Sequence, residues 1–125
     1  MGISTILLLE DGEAEQFLCK TIISGFDPAI DIHTCYDGQQ ALDFLAETNE
    51  IPDVILADVN MPGMGGIEFI QAYEEKYGAQ HSPLIFLMTS VIPQEDKTQS
   101  FKCFKGYISK PLNPNDLEKI TAMLD

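Results

Sequence analysis

Three runs, "ILLL" (Ile6 to Leu9), "DVILA" (Asp53 to Ala57) and "LIFLM" (Leu84 to Met88), are almost unbroken apolar stretches of strand length. A strand with one wet face alternates apolar and polar residues, so runs like these belong to central strands of a sheet covered on both sides. A fourth run, "GYIS" (Gly106 to Ser109), is shorter. "IDIHT" (Ile30 to Thr34) does alternate, and reads as an edge strand.

Helical patterns separate these runs. Ala14, Phe17, Leu18, Thr21 and Ile22 recur at the i, i+3, i+4, i+7 spacing of one buried helix face, with Gly25 placed to stop it. Further helices are predicted over Gly38 to Glu47, Gly66 to Tyr77, Gln94 to Phe104 and Asn115 to Leu124. Asp37, Gly65, Pro93 and Asn113 stand near their starts as cap or first-turn residues. Strict alternation of five strands and five helices predicts an α/β chain of (βα)5 type with a parallel sheet and right-handed crossovers. Residues 1–125 fit one domain, without repeats, linkers or low-complexity segments.

The charge balance removes whole classes of function. Twenty acids stand against seven lysines and no arginine, a formal charge of −13. Phosphate backbones are repelled by such a surface, and the residue that grips them with a forked contact is missing, so direct nucleic-acid binding is excluded. No apolar run approaches the roughly 20 residues that span a bilayer, and the start "MGISTILLLED" has neither a basic stretch nor a cleavage site. The expected location is the cytoplasm. Cys19, Cys35 and Cys103 are odd in number and lack metal-like spacing, which argues against a disulfide framework or a zinc site. His33 and His81 fall in polar edge or loop contexts and are read as solvated.

In an open parallel sheet, ligands bind at the carboxyl ends of the strands. Four strands end on chemistry there: "LLLED" brings Glu10 and Asp11, "VILAD" brings Asp58, "LIFLMTS" brings Thr89 and Ser90, and "GYISKP" brings Lys110. Each has an ordinary reading by itself: a turn or cap aspartate, acids at a helix start, a strand-end hydroxyl, a solvated lysine. Their convergence on one edge is harder to dismiss. Gathered carboxylates repel one another and invite a hard divalent cation, with Mg2+ the expected cofactor. Asp11 and Asp58 could bind it directly, Glu10 through a metal-bound water, and the Asn60 carbonyl could complete the shell. Asp58 could also attack phosphorus to form an aspartyl phosphate. Lys110 would then neutralise the phosphoryl group, the Thr89 hydroxyl would donate to it, and the main-chain N–H groups of Asn60 and Ser90 would supply further donors.

These segments, "LLLED", "DVNMPGMGG" (Asp58 to Gly66), "MTS" and "SKP", resemble along the whole chain the receiver domains of two-component response regulators, particularly stand-alone, chemotaxis-regulator-like ones. The resemblance implies a flavodoxin-like, doubly wound five-stranded sheet in the order 2-1-3-4-5. It implies Asp58 as the phospho-acceptor, Asp11 as direct metal ligand with Glu10 assisting, Lys110 on the phosphoryl group, and a cis peptide before Pro111. It further implies a switch in which Thr89 moves toward phosphorylated Asp58 and Tyr107 turns inward. The face of the fourth helix, fifth strand and fifth helix would change as a result. Gly12 after the acidic pair, and Cys103-Phe104 where the family usually has a small Gly-Ala pair, depart from the pattern.

The expected function is therefore a phospho-accepting signalling module rather than an enzyme with a separate substrate. It would be charged by a sensor histidine kinase or phosphotransfer protein and act through a downstream protein target, not nucleic acid or membrane. The chain's end at Asp125, after the last helix, leaves no room for an output domain. An aspartyl-phosphate phosphatase of the haloacid dehalogenase type would need an acid two residues after the nucleophile, where Asn60 stands. A phosphate-independent interaction domain with the same fold is the alternative. Lys97, Lys102, Lys105 and Lys110, four of the seven lysines, together with Phe101 or Phe104, are a candidate partner face.

Overall fold

The computed structural model describes residues 2–49, 51–78, 83–92 and 101–124. Five parallel strands, β1 (Thr5–Leu9), β2 (Asp31–Cys35), β3 (Val54–Asp58), β4 (Leu84–Thr89) and β5 (Phe104–Ser109), form one sheet in the order β2-β1-β3-β4-β5. Four helices are described: α1 (Glu13–Phe26), α2 (Gly38–Glu47), α3 (Gly66–Tyr77) and α4 (Pro114–Leu124). Among the described residues no helix is long and apolar enough to cross a membrane.

The apolar runs are continuous because each strand feeds two cores at once. Side chains alternate across a sheet with period two. Ile6 and Leu8, Val54 and Leu56, and Phe86 and Met88 point to one side, where Cys19 and Ile23 of α1 and Leu117 and Ile120 of α4 cover them. Leu7 and Leu9, Ile55 and Ala57, and Ile85 and Leu87 point to the other, against Ala41 of α2 and Phe69, Ile70 and Tyr73 of α3. β2 lies at the sheet edge, as its alternation predicts, and only its Cys35 is buried.

The helix ends follow local chemistry. Asp37 caps α2 by accepting the Gln40 N–H at 2.8 Å. At α4, Asn113 Oδ1 accepts the Asp116 N–H at 3.2 Å while Asp116 Oδ2 accepts the Asn113 N–H at 3.1 Å. This reciprocal pair starts the helix at Pro114, one residue before the predicted Asn115.

Several expectations are corrected. The buried face of α1 is Gln16, Cys19 and Ile23, not Ala14, Phe17, Leu18, Thr21 and Ile22. Phe17 is 73% exposed and Leu18 is exposed, while Ile22 only borders the core. The reading by hydropathy misses the stripe because a polar residue opens it: Gln16 Nε2 donates to the Glu10 carbonyl at 2.5 Å, so the amide is satisfied inside. Gly25 does not stop α1, which continues to Phe26 so that this ring can pack on the core. β5 begins at Phe104, two residues before the predicted Gly106, with a register irregularity against Ile85 and Phe86. Residues 94–100 of the predicted fourth helix lie outside the described residues, as do Pro93, Lys97 and His81. Phe101 is irregular, Lys102 and Cys103 are turn, and Phe104 is strand instead of helix.

Candidate functional site

β1, β3 and β5 deliver the site by the same parity that builds the core. Glu10 continues the side of Ile6 and Leu8, Asp58 that of Val54 and Leu56, and Lys110 that of Ile108, so all three turn toward α1. The ladder holds their backbones in place: the Glu10 N–H donates to the Cys35 carbonyl and the Lys110 N–H to the Thr89 carbonyl, both at 2.9 Å. The Lys110–Pro111 peptide bond is cis.

Lys110 Nζ lies 2.8 Å from Glu15 Oε2, 3.1 Å from Glu10 Oε1 and 3.2 Å from Asp58 Oδ2. The three acids bring one carboxylate oxygen each within 4.8 Å of one another, an oxygen-only donor set of the kind a hard divalent cation takes. Glu10 is buried, and its second oxygen accepts the Gly12 N–H at 3.2 Å. Asp58, 6% exposed, accepts the Asn60 N–H on Oδ1 at 3.2 Å. Glu15 is the open member, its side chain 55% exposed.

Electrostatics follow from this packing. Burial pushes the Glu10 carboxyl up to about 7, the neighbouring Glu15 carboxyl adding to the shift, with Lys110 and the Gly12 N–H opposing it. Lys110 lowers the Glu15 carboxyl below its usual range. Burial pulls the Lys110 ammonium down, but the hydrogen bonds to Glu15, Glu10 and Asp58 more than offset it and its pKa is raised. Cys19, Cys35 and Cys103 are free, buried thiols, each pushed up to about 11 chiefly by burial. None is a ready thiolate at neutral pH.

A cavity of about 590 Å³ opens over this cluster, its wall including Asp11, Asn60, Thr89 and Ser90. Asp11 is exposed and lies outside the close cluster of Glu10, Glu15 and Asp58. Ser90 and Asn60 are exposed at the rim. Thr89 is buried at the end of β4, its hydroxyl donating to the Val91 carbonyl at 3.0 Å and accepting the Val91 N–H at 3.3 Å. Tyr107 follows the opposite parity from Lys110, half-buried on the α3 side and edge-on to Phe104 at 5.1 Å. The loop after Asp58 returns so tightly that a Cβ on Gly66 would stand 2.5 Å from the Asp58 carbonyl and 2.6 Å from Leu87 Cδ2.

Sequence reasoning missed Glu15. The signal is its spacing: Glu15, Cys19 and Ile23 stand at i, i+4 and i+8, placing the acid on the core-facing side of α1 at the site end. Assigning Ala14, Phe17 and Leu18 to that side hid it. Lys110 also leaves the expected basic face, since its ammonium is committed to the acids, while Phe101 and Phe104 pack against the core.

The chain matches the model of the response regulator receiver domain over residues 6–122. It is 33% identical over 117 residues to the nitrate/nitrite response regulator protein NarL of Escherichia coli, covering 93% of this chain and 52% of that protein. It is 31% identical over 122 residues to hybrid signal transduction histidine kinase I of Dictyostelium discoideum, covering 92% of this chain and 7% of that one. The chain thus spans about half, or far less, of the length of these curated relatives. Among solved structures, a two-component response regulator from Cytophaga hutchinsonii superposes with a TM-score of 0.87 at 28% identity, covering 96% of this chain and 95% of the other. One from Legionella pneumophila gives 0.83 at 29% identity, covering 97% of each. With the 2-1-3-4-5 sheet and the acid-lysine cluster at its carboxyl edge, these matches show that the chain belongs to the response regulator receiver domain family, whose members partner histidine kinases as signalling phospho-acceptors rather than conventional enzymes.

Proposed function

We propose that the protein accepts a phosphoryl group on Asp58 in a Mg2+-dependent reaction with a histidine kinase or phosphotransfer protein. The observation that carries this reading is a buried carboxylate at the tip of a central strand, with a lysine ammonium 3.2 Å from one oxygen. A carboxylate oxygen of Asp58 attacks phosphorus, a new O–P bond forms, and the P–N bond to the donor imidazole breaks, the imidazole leaving with the electron pair. Lys110 offsets the charge carried by the phosphoryl oxygens, and the N–H groups of Asn60 and Ser90 with the Thr89 hydroxyl donate to them.

The cavity offers oxygen donors to a divalent cation, with Asp11 and Asn60 on its wall beside Glu10 and Asp58 of the close cluster. Asp11 and Asp58 would hold it, with Glu10 assisting and the Asn60 carbonyl completing the protein shell. When bound, the ion neutralises the acids and the transferring oxygens. Residues 1–125 act as a single receiver unit that works in the cytoplasm. Its output is a switch in which Thr89 gives up Val91 for the phosphoryl group and Tyr107 turns inward. This changes the face that includes β5 and α4 for a downstream protein partner.

The test is intact mass after acetyl phosphate treatment, with and without Mg2+, on wild type and Asp58→Asn. One phosphoryl adduct that needs Mg2+ and vanishes in the variant is expected. No adduct under any condition would leave the phosphate-independent interaction domain as the better reading.

A further inference from the structure

We propose that Glu15 is a positioning residue that acts through Lys110, an anionic latch holding the lysine ammonium until an incoming phosphoryl group displaces it. The proposal rests on phosphorylation of Asp58. A lysine ammonium has three N–H donors and no more. Here two of them are taken by hydrogen bonds, to Glu15 at 2.8 Å and Glu10 at 3.1 Å, and Asp58 stands beside the ammonium as an ion pair at 3.2 Å. A phosphoryl oxygen that draws the ammonium toward itself competes with these contacts.

The three partners are not equally able to let go. Asp58 carries the phosphoryl group and stays beside it. Glu10 is buried, and releasing it would leave a desolvated carboxylate short of a partner, which is costly. Glu15 is more than half exposed, so water can take over its hydrogen bonds when the ammonium leaves. It also makes the shortest contact, and it adds a negative charge to the cavity that an anionic donor must enter. Glu15 is thus the contact that the phosphoryl group replaces, and its presence opposes phosphorylation.

The mark of the latch is selectivity for position. Glu13 lies in the same first turn of α1 and carries the same charge, but makes no ion pair with Lys110. Phosphorylation by acetyl phosphate is followed by intact mass against donor concentration at saturating Mg2+, for wild type, Glu15→Gln, Glu15→Ala and Glu13→Gln. Both Glu15 variants are expected to react faster by about two- to fivefold, the scale of a part-exposed ion pair, mainly through a lower half-saturating donor concentration. Glu13→Gln should follow wild type.

Equal acceleration by Glu13→Gln would reduce the effect to the general field and overturn the latch. Slower reaction of the Glu15 variants with a higher Mg2+ requirement would make Glu15 a cation ligand and overturn it as well. Unchanged rates beside a normal wild-type adduct would defeat the latch and leave Asp58 phosphorylation standing. Absence of the adduct in wild type would defeat both.

Discussion

Glu10 has its chemistry strongly displaced by its surroundings. Burial holds its carboxyl at about 7, whereas in an unfolded chain it titrates near the ordinary 4.5. Between those values the cation-free folded protein binds a proton that the unfolded chain has released, so stability falls as pH rises through this window. Glu15, with its lowered pKa, contributes its change below this window, and Lys110, raised, contributes far above it. In EDTA, the urea midpoint of wild type should therefore drop between pH 5 and 7.5, and Glu10→Gln should flatten that drop. Parallel curves for the two proteins would remove Glu10 as the cause. Gly66 is a second single-residue constraint, set by space: a methyl there collides with the Asp58 carbonyl and Leu87. Gly66→Ala should cost about 1–3 kcal/mol, the usual scale of overpacking, read as a shift in the denaturation midpoint. A neutral result would mean that the loop after Asp58 can yield.

Among the elements, α1 connects core and site most directly. Its stripe of Gln16, Cys19 and Ile23 seats it on β1 and β3, and the same seating brings Glu15 over the strand ends to Lys110. The two alternative faces make opposite predictions. Ile23→Ala, at a fully buried position, should destabilise by about 2–5 kcal/mol, while Phe17→Ala should stay within about 0.5 kcal/mol. Urea titration of the pair checks this, and a large loss at Phe17 would mean that the helix is seated on its other face. Mis-seating α1 by one position, a rotation of about 100°, carries Glu15 away from the lysine, so this stability measurement also bears on the site.

At the scale of the whole molecule the dominant facts are a doubly covered sheet and a formal charge of −13. The core is satisfied on both faces, but the surface repels itself, and part of that repulsion is concentrated over the carboxyl edge. Raising NaCl from about 20 mM to about 0.5 M shortens the screening length severalfold and should raise the melting temperature. Mg2+ at matched ionic strength should raise it further, and Asp58→Asn should diminish only the additional part. A magnesium effect no larger than that of NaCl would speak against a specific cation at the acids. Much of this architecture is legible in the amino-acid order, because a continuous apolar run of strand length between turn residues, read as a strand, must be buried on both sides, and its period-two division between two cores follows automatically. "ILLL", "DVILA" and "LIFLM" therefore fix three central strands, and Asp37 and Asn113 mark helix starts by their capping chemistry. The acids, hydroxyl and lysine at the strand ends are local to those runs, so Glu10, Asp58, Thr89 and Lys110 are legible as one edge. What the order of residues leaves open is which neighbours these groups meet. α1 carries two apolar stripes side by side, and only packing, with the Gln16 amide satisfied by the Glu10 carbonyl, selects the one that faces inward. That selection brings Glu15 to Lys110 and makes the lysine expected at the site edge the shared counterion of three carboxylates. The strands could be read from periodicity because burial on both faces constrains every residue; the place of Glu15 at Lys110 could not, because it depends on the rotation of a helix, which is settled only when the whole core closes.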